Sequence, residues 1–215
     1  MKRHLLLAVF ALIQLSACQW LRGVEGSGVI VEEKREVRGF TDVRISGGYE
    51  VKITVGAEES LILSGDDNLL PLITTKVEDG VLIVKNQKAI SPKSPLRLTL
   101  SARALARLEV SGSARGTVSG IDAAEFGLQC SGSCKLALAG KAVLLDVGVS
   151  GSGEVDATAL PVKKADVRIS GSGEVDVTAA EALKVKISGS GTVTYGGEAA
   201  AIEQSISGSG RVVRR

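Results

Sequence analysis

The tripeptide Ser-Gly-Ser begins at Ser111, Ser131, Ser150, Ser170, Ser188 and Ser207, at intervals of 20, 19, 20, 18 and 19 residues. A period of this length marks a stacked architecture, in which each repeat completes the core of its neighbours. Around every copy the apolar residues fall on alternate positions. Examples are Leu183-Lys184-Val185-Lys186-Ile187 before a tripeptide and Glu174-Val175-Asp176-Val177 after one. Alternation of period two is that of a strand with one buried face. Glycine between two such runs allows a sharp corner, because it adopts positive φ without a Cβ clash.

Two strands and a connecting segment per repeat predict an all-β fold. Its expected form is a right-handed parallel β-helix, or solenoid, built on repeats of about 19 residues, with rungs about 4.8 Å apart. Val110, Cys130, Val149, Ile169, Ile187 and Ile206 are then expected to form one internal ladder. An antiparallel sandwich of hairpins is the alternative, although a near-constant period suits it less well. Seventeen of the 26 glycines follow residue 100, and aromatic residues make up only 3% of the chain. Both numbers fit a narrow coil with glycine corners.

The first half has strand character without the strict period. Phe40 to Val51 reads as a divergent strand–corner–strand unit, and Lys76 to Val84 as a tight hairpin turning at Asp79-Gly80. Residues 29–100 are therefore expected to be an N-terminal β cap or a set of irregular first rungs, and residues 101–215 the repeats. A single continuous domain over 29–215 is the other possibility.

The first seventeen residues read as an export signal. Lys2 and Arg3 precede an apolar run from Leu5 to Leu15, and Leu15-Ser16-Ala17-Cys18 supplies small residues before a cysteine. Those four residues resemble the bacterial lipobox, which implies cleavage before Cys18 and its acylation. An ordinary signal peptide that happens to contain a cysteine is the alternative. Residues 18–28 are expected to be a lipid-anchored tether, with Trp20 suited to a lipid–water boundary. The expected location is the cell envelope, at the outer membrane, facing either the periplasm or the exterior.

Removing the signal takes away two cations and no acid, which leaves 24 basic residues against 24 acidic ones. That balance argues against a nucleic-acid partner, because neutralising phosphates needs a basic excess. The only histidine, His4, lies inside the signal. Ser-His-Asp and Cys-His catalysis and histidine-ligated metals are thereby excluded from the mature chain. No motif points to a cofactor.

The pieces taken in order resemble the head GIN domain of auto-transporter adhesins over roughly residues 38–212. The resemblance runs through Phe40–Gly47, Val51–Gly56, Asp67-Asn68-Leu69-Leu70 and Thr74–Ile83 into the Ser-Gly-Ser repeats. It implies an all-β solenoid on a secreted or lipid-anchored protein and brings no catalytic motif. Arg115-Gly116 and Cys134 depart from the usual corner, so those rungs are expected to be distorted.

Two clusters carry potential chemistry. Glu154 and Asp156 recur one repeat later as Glu174 and Asp176, so stacking would set Glu on Glu and Asp on Asp. Such pairs suggest a calcium site or acids acting on a polysaccharide. They suit better a hydrated edge relieved by Lys135 on one flank and Arg211 on the other, and no metal site is assigned. Cys130 and Cys134 bracket one corner. An exported compartment permits a disulfide between them, with a buried thiol beside a partly exposed one as the alternative.

The function expected is a non-catalytic envelope lipoprotein, an adhesin or binding module held to the membrane by its lipid. Its solenoid face would meet an envelope protein or a glycan. The alternatives are a polysaccharide-acting enzyme using the four acids and a structural or sensing module of the periplasm.

Overall fold

A computed structural model describes residues 23–215; the signal segment, Cys18 and Trp20 lie outside them. The described chain is all-β, with one 3-10 turn at Leu70–Leu72 and no closed barrel. Among the described residues no helix is long and apolar enough to cross a membrane.

The repeats occupy β9 (Arg107–Gly151), β10 (Glu154–Gly171), β11 (Glu174–Gly189), β12 (Thr192–Gly196), β13 (Ala201–Gly208) and β14 (Arg211–Arg214). Every pairing between them is parallel, and each joins equivalent residues of successive repeats. Val149, Ile169, Ile187 and Ile206 lie in one column, and Ser150, Ser170, Ser188 and Ser207 lie beside them. Hairpin pairing, as a sandwich requires, does not occur among these strands.

The corner glycines explain why the period is so strict. Gly47, Gly112, Gly132, Gly151, Gly171, Gly189 and Gly208 all have φ between 115° and 134°. A Cβ added to any of the last six would lie 2.4–2.6 Å from the carbonyl oxygen of the glycine before it in the series. Each corner backbone thus occupies the space in which a side chain of the next corner would stand.

One position beyond the corner serine, the inward residues diminish along the stack. The series is Tyr49, Ala114, Cys134, Gly153, Gly173, Gly191 and Gly210, and all but the last are buried. At Gly173 a Cβ would stand 2.7 Å from the Val149 side chain, and at Gly191 2.6 Å from Ile169. Glycine here makes room for the branched ladder of the preceding rung.

The first half contains a rung of its own. In β3 (Asp42–Val55) the pairing to β9 runs without a register shift from Asp42–Arg107 to Thr54–Ser119, and Ser46-Gly47 lies against Ser111-Gly112. Arg115-Gly116 therefore leaves the register undisturbed, contrary to the distortion expected there. The other edge of β3 is covered in two parts. β6 (Val81–Asn86) pairs with its first half and is the return strand of a hairpin with β5 (Ile73–Glu78), turning at Asp79-Gly80. β8 (Arg97–Ala102) pairs with its second half and is followed by antiparallel β4 (Ser60–Asp66) and β2 (Ile30–Arg35). One twelve-stranded sheet crosses the boundary expected near residue 100.

The tether expected over 18–28 is not free from Gly23 onward. β1 (Val24–Glu25) pairs with β7 (Ile90–Ser91). The fully buried carboxylate of Asp66 accepts from the backbone N–H of Gly28 at 2.6 Å and of Lys93 at 3.1 Å. Asn68 accepts from the Ser27 N–H at 2.9 Å and donates to the Glu25 carbonyl at 2.8 Å. A buried carboxylate whose acceptors are filled by backbone donors is a strong local clamp.

Candidate functional site on the outer face of the repeats

Outward positions on the stacked strands form columns of side chains with the rung spacing. After the corner, one column reads Lys135, Glu154, Glu174, Thr192 and Arg211, and the next reads Ala137, Asp156, Asp176, Thr194 and Val213. Glu therefore does stack on Glu and Asp on Asp. Lys135 Nζ donates to Glu154 Oε2 at 2.8 Å, which relieves one flank. The relief expected from Arg211 is not adjacent, since Thr192 stands between it and Glu174.

The backbone N–H of Thr158 donates to Asp156 Oδ1 at 2.9 Å. Hydrogen bonds from Thr158, with a smaller contribution from the positive charge of Arg215, hold the Asp156 carboxyl below its ordinary range. A depressed carboxyl is unsuited to donate a proton as a general acid at neutral pH. Among the described residues no three acidic, cysteine or histidine side chains converge as a metal would need.

Before the corner the outward columns mix signs. One reads Asp146, Asp166, Lys184 and Glu203; the other reads Gly148, Arg168, Lys186 and Ser205. Arg168 Nη2 reaches both oxygens of Asp146 at 2.6 and 2.7 Å, and its Nη1 lies 3.0 Å from Asp166. One guanidinium thus joins two carboxylates on neighbouring rungs. Sequence inspection did not single out this cluster, although Asp146 and Asp166 share a repeat phase that made it legible. The Gln129 side chain fills the space that a side chain at Gly148 would take. Beside it runs a shallow groove of about 310 Å³ lined by Gln129, Ser150, Arg168, Lys186 and Ser188 together with Cys130, Val149 and Ile169.

Cys130 and Cys134 face each other sulfur to sulfur across their corner, with Cα atoms 6.3 Å apart. Both are buried, Cys134 included, so the partly exposed thiol of the alternative reading is not found. Of the aromatic residues, Phe40, Tyr49 and Phe126 are core side chains and offer no external stacking platform. Tyr49 donates to Asn86 Oδ1 at 2.6 Å, and burial pushes its phenol above the ordinary range.

A family model described as "Putative auto-transporter adhesin, head GIN domain" matches residues 39–199. No curated protein sequence matches the chain. Among solved structures, a "putative adhesin" from Bacteroides fragilis superposes with a TM-score of 0.67 at 16% identity, covering 90% of this chain and all of that one. A "putative adhesin" from Parabacteroides distasonis gives 0.54 at 21% identity with the same coverage. A "putative lipid binding protein" from that species gives 0.53 at 20%, again with the same coverage. At these identities the likeness is one of fold.

Proposed function

The chain belongs to the auto-transporter adhesin head GIN domain family, and from that premise we propose that it is a non-catalytic binding module of the cell envelope. Its repeats coil as a right-handed parallel β-helix, a reading supported by the parallel pairing of β10 with β9 and β11 and of β11 with β13. Right-handed connection is the general rule for parallel strands joined within one sheet. Acyl chains on Cys18 hold the module to the membrane, with the outer membrane as its location. Its partner is a glycan or an envelope protein met by the outer columns.

The observation that carries this reading is the groove beside Gln129. It joins outward serine hydroxyls to Arg168 and Lys186 on a rigid scaffold and contains no imidazole. Hydroxyls and cations around a largely apolar trough suit a sugar, whose ring face is apolar and whose edge carries hydroxyls. The four stacked acids keep a polysaccharide-acting enzyme as the competing reading.

A glycan array probed with the protein, followed by incubation with each bound glycan, separates the two. Binding without cleavage is expected, weakened at least fivefold by Lys186→Ala with Arg168→Ala. Hydrolysis abolished by Glu154→Gln or Glu174→Gln would replace this reading with the enzymatic one. Protease added to intact cells reports which way the module faces: loss of the folded domain places it outside, protection places it in the periplasm.

A further inference from the structure

The two ends of the repeat stack differ. At the N-terminal end β3 is covered on one side by two further strands, β6 and β5, and on the other by three, β8, β4 and β2. That end is stepped. At the other end β13 and β14 each form a single final strand on the same rung, and among the described residues nothing pairs with their outer edges. Every residue of β13 is exposed. Ile206, which continues the Val149–Ile169–Ile187 ladder, is 40% exposed, and Ile202, which continues the Leu183 column, is 43%. The internal place expected for Ile206 is therefore corrected: it faces inward on the last described rung, where no further described strand covers it. On β14, Val212 continues the Val155–Val175–Val193 column and is only half-buried.

We propose that this last rung docks against the last rung of a second copy of this chain, about a two-fold axis that bisects the Gly208 corner. Such an axis carries β13 of one copy onto β14 of the other, whatever the angle at the corner. The strands then run antiparallel, because β13 runs toward the corner and β14 away from it. Inward residues meet inward residues, so Val212 of the partner copy falls opposite Gln204, flanked by Ile202 and Ile206. Free N–H and C=O groups on both edges gain partners, as an unpaired edge strand otherwise leaves them in water.

Charge argues for this pairing over others. β13 carries one charged residue, Glu203; β14 with the residue after it carries Arg211, Arg214 and Arg215 and no acid. Glu203 faces outward beside Lys184, whose Nζ lies 3.3 Å from it, and the two-fold axis through the corner sets it opposite Val213 of the partner copy, between the outward Arg211 and Arg215, twice over. A symmetric self-complementary patch closes after two copies. Stacking a last rung onto the stepped N-terminal end would match neither strand number nor level. The proposal rests on the exposed rung alone and stands apart from the anchoring reading.

Sedimentation equilibrium of the chain from residue 19 across 1–200 µM tests it. A monomer–dimer equilibrium is expected, with Ile206→Glu shifting the dissociation constant at least tenfold. Glu203→Arg, and separately Arg211→Glu with Arg215→Glu, should each be monomeric. Mixed in equal amounts they should form a heterodimer, since each then offers the charge that the other lacks. Circular dichroism confirms that the variants fold. A wild type monomeric throughout would overturn the proposal. So would a ladder of ever larger species, or a dimer indifferent to these changes.

Discussion

A Cβ placed on Gly151 would stand 2.4 Å from the carbonyl oxygen of Gly132, one rung away. The approach is backbone on backbone, so no side-chain rotation relieves it. Three substitutions divide this constraint into its parts. Gly48 has no positive φ and its nearest neighbour is 3.9 Å away, so Gly48→Ala should be neutral or stabilise by about 0.5 kcal/mol. Gly80 has open space but φ of 78°, so Gly80→Ala should cost about 1 kcal/mol. Gly151→Ala meets both penalties and should cost about 3 kcal/mol or more. Urea denaturation of the three variants gives the order, and equal costs at Gly80 and Gly151 would show that the contact is relieved.

Tyr49 predicts an alkaline limb of instability. Its phenol is raised by burial, so the unfolded chain ionises before the folded one does. Its contribution to stability is full below about pH 10, the unfolded value, and is lost as pH rises from there toward the higher folded value. Tyr49→Phe should cost about 1 kcal/mol at pH 7 through the lost hydrogen bond to Asn86. The same change should flatten the fall in melting temperature between pH 9.5 and 11. A wild-type melting temperature that is constant over that range contradicts the assignment.

Asp156 predicts the opposite sign in acid. Its carboxyl is depressed, so its contribution is present above the ordinary carboxylate value and is lost as pH falls through its own lower value. Asp156→Asn should lower the melting temperature at pH 7 by a small amount and reduce its slope below pH 4, so that the two proteins converge in acid. Calcium titration calorimetry on the same pair should give no heat from either protein. Calcium-dependent heat present in the wild type and lost in Asp156→Asn would restore the metal site.

Cys130 and Cys134 should yield no reactive thiol in oxidised, denatured protein once Cys18 is substituted. Closing so short a loop contributes about 2 kcal/mol in the chain-entropy account. Cys134→Gly places the residue of the later repeats at that position and should lose about that much. Two titratable thiols in protein purified without reductant would sink the bridge.

Arg168 should matter more at low salt than at high. Replacing it with Met leaves Asp146 and Asp166 on adjacent rungs without their shared cation, and the surface position limits the cost to about 1 kcal/mol. The difference from wild type should shrink in 1 M NaCl. A salt-independent cost would assign it to lost packing of the side-chain stem.

What was legible in the sequence is what repeats. The Gly112 to Gly208 corners, the alternation around Ile169 and Ile187, and the Asp79-Gly80 hairpin are local signals, and the backbone obeys them. The register of Glu154 on Glu174 followed from phase alone. Features resting on contacts between distant segments had no such signal. Asp66 is one acid among 24 until Gly28 and Lys93 fold onto it, so the segment before Val29 read as linker. The antiparallel order of β2, β4 and β8 depends on which edges β3 leaves free. Ile206 has the same phase as Ile187, and its exposure differs because no other described strand pairs beyond β13.

The Asp66 clamp also fixes a distance. An acyl anchor at Cys18, as proposed, would be at most about 17 Å of chain from Gly23 and would keep the capped end close to the lipid. The seven corner glycines mark rungs about 4.8 Å apart, which sets the last rung about 29 Å further along the stack. Repeat number therefore acts as a ruler: each repeat added or removed moves the tip by one rung, a change of standoff made in whole steps and without altering either end.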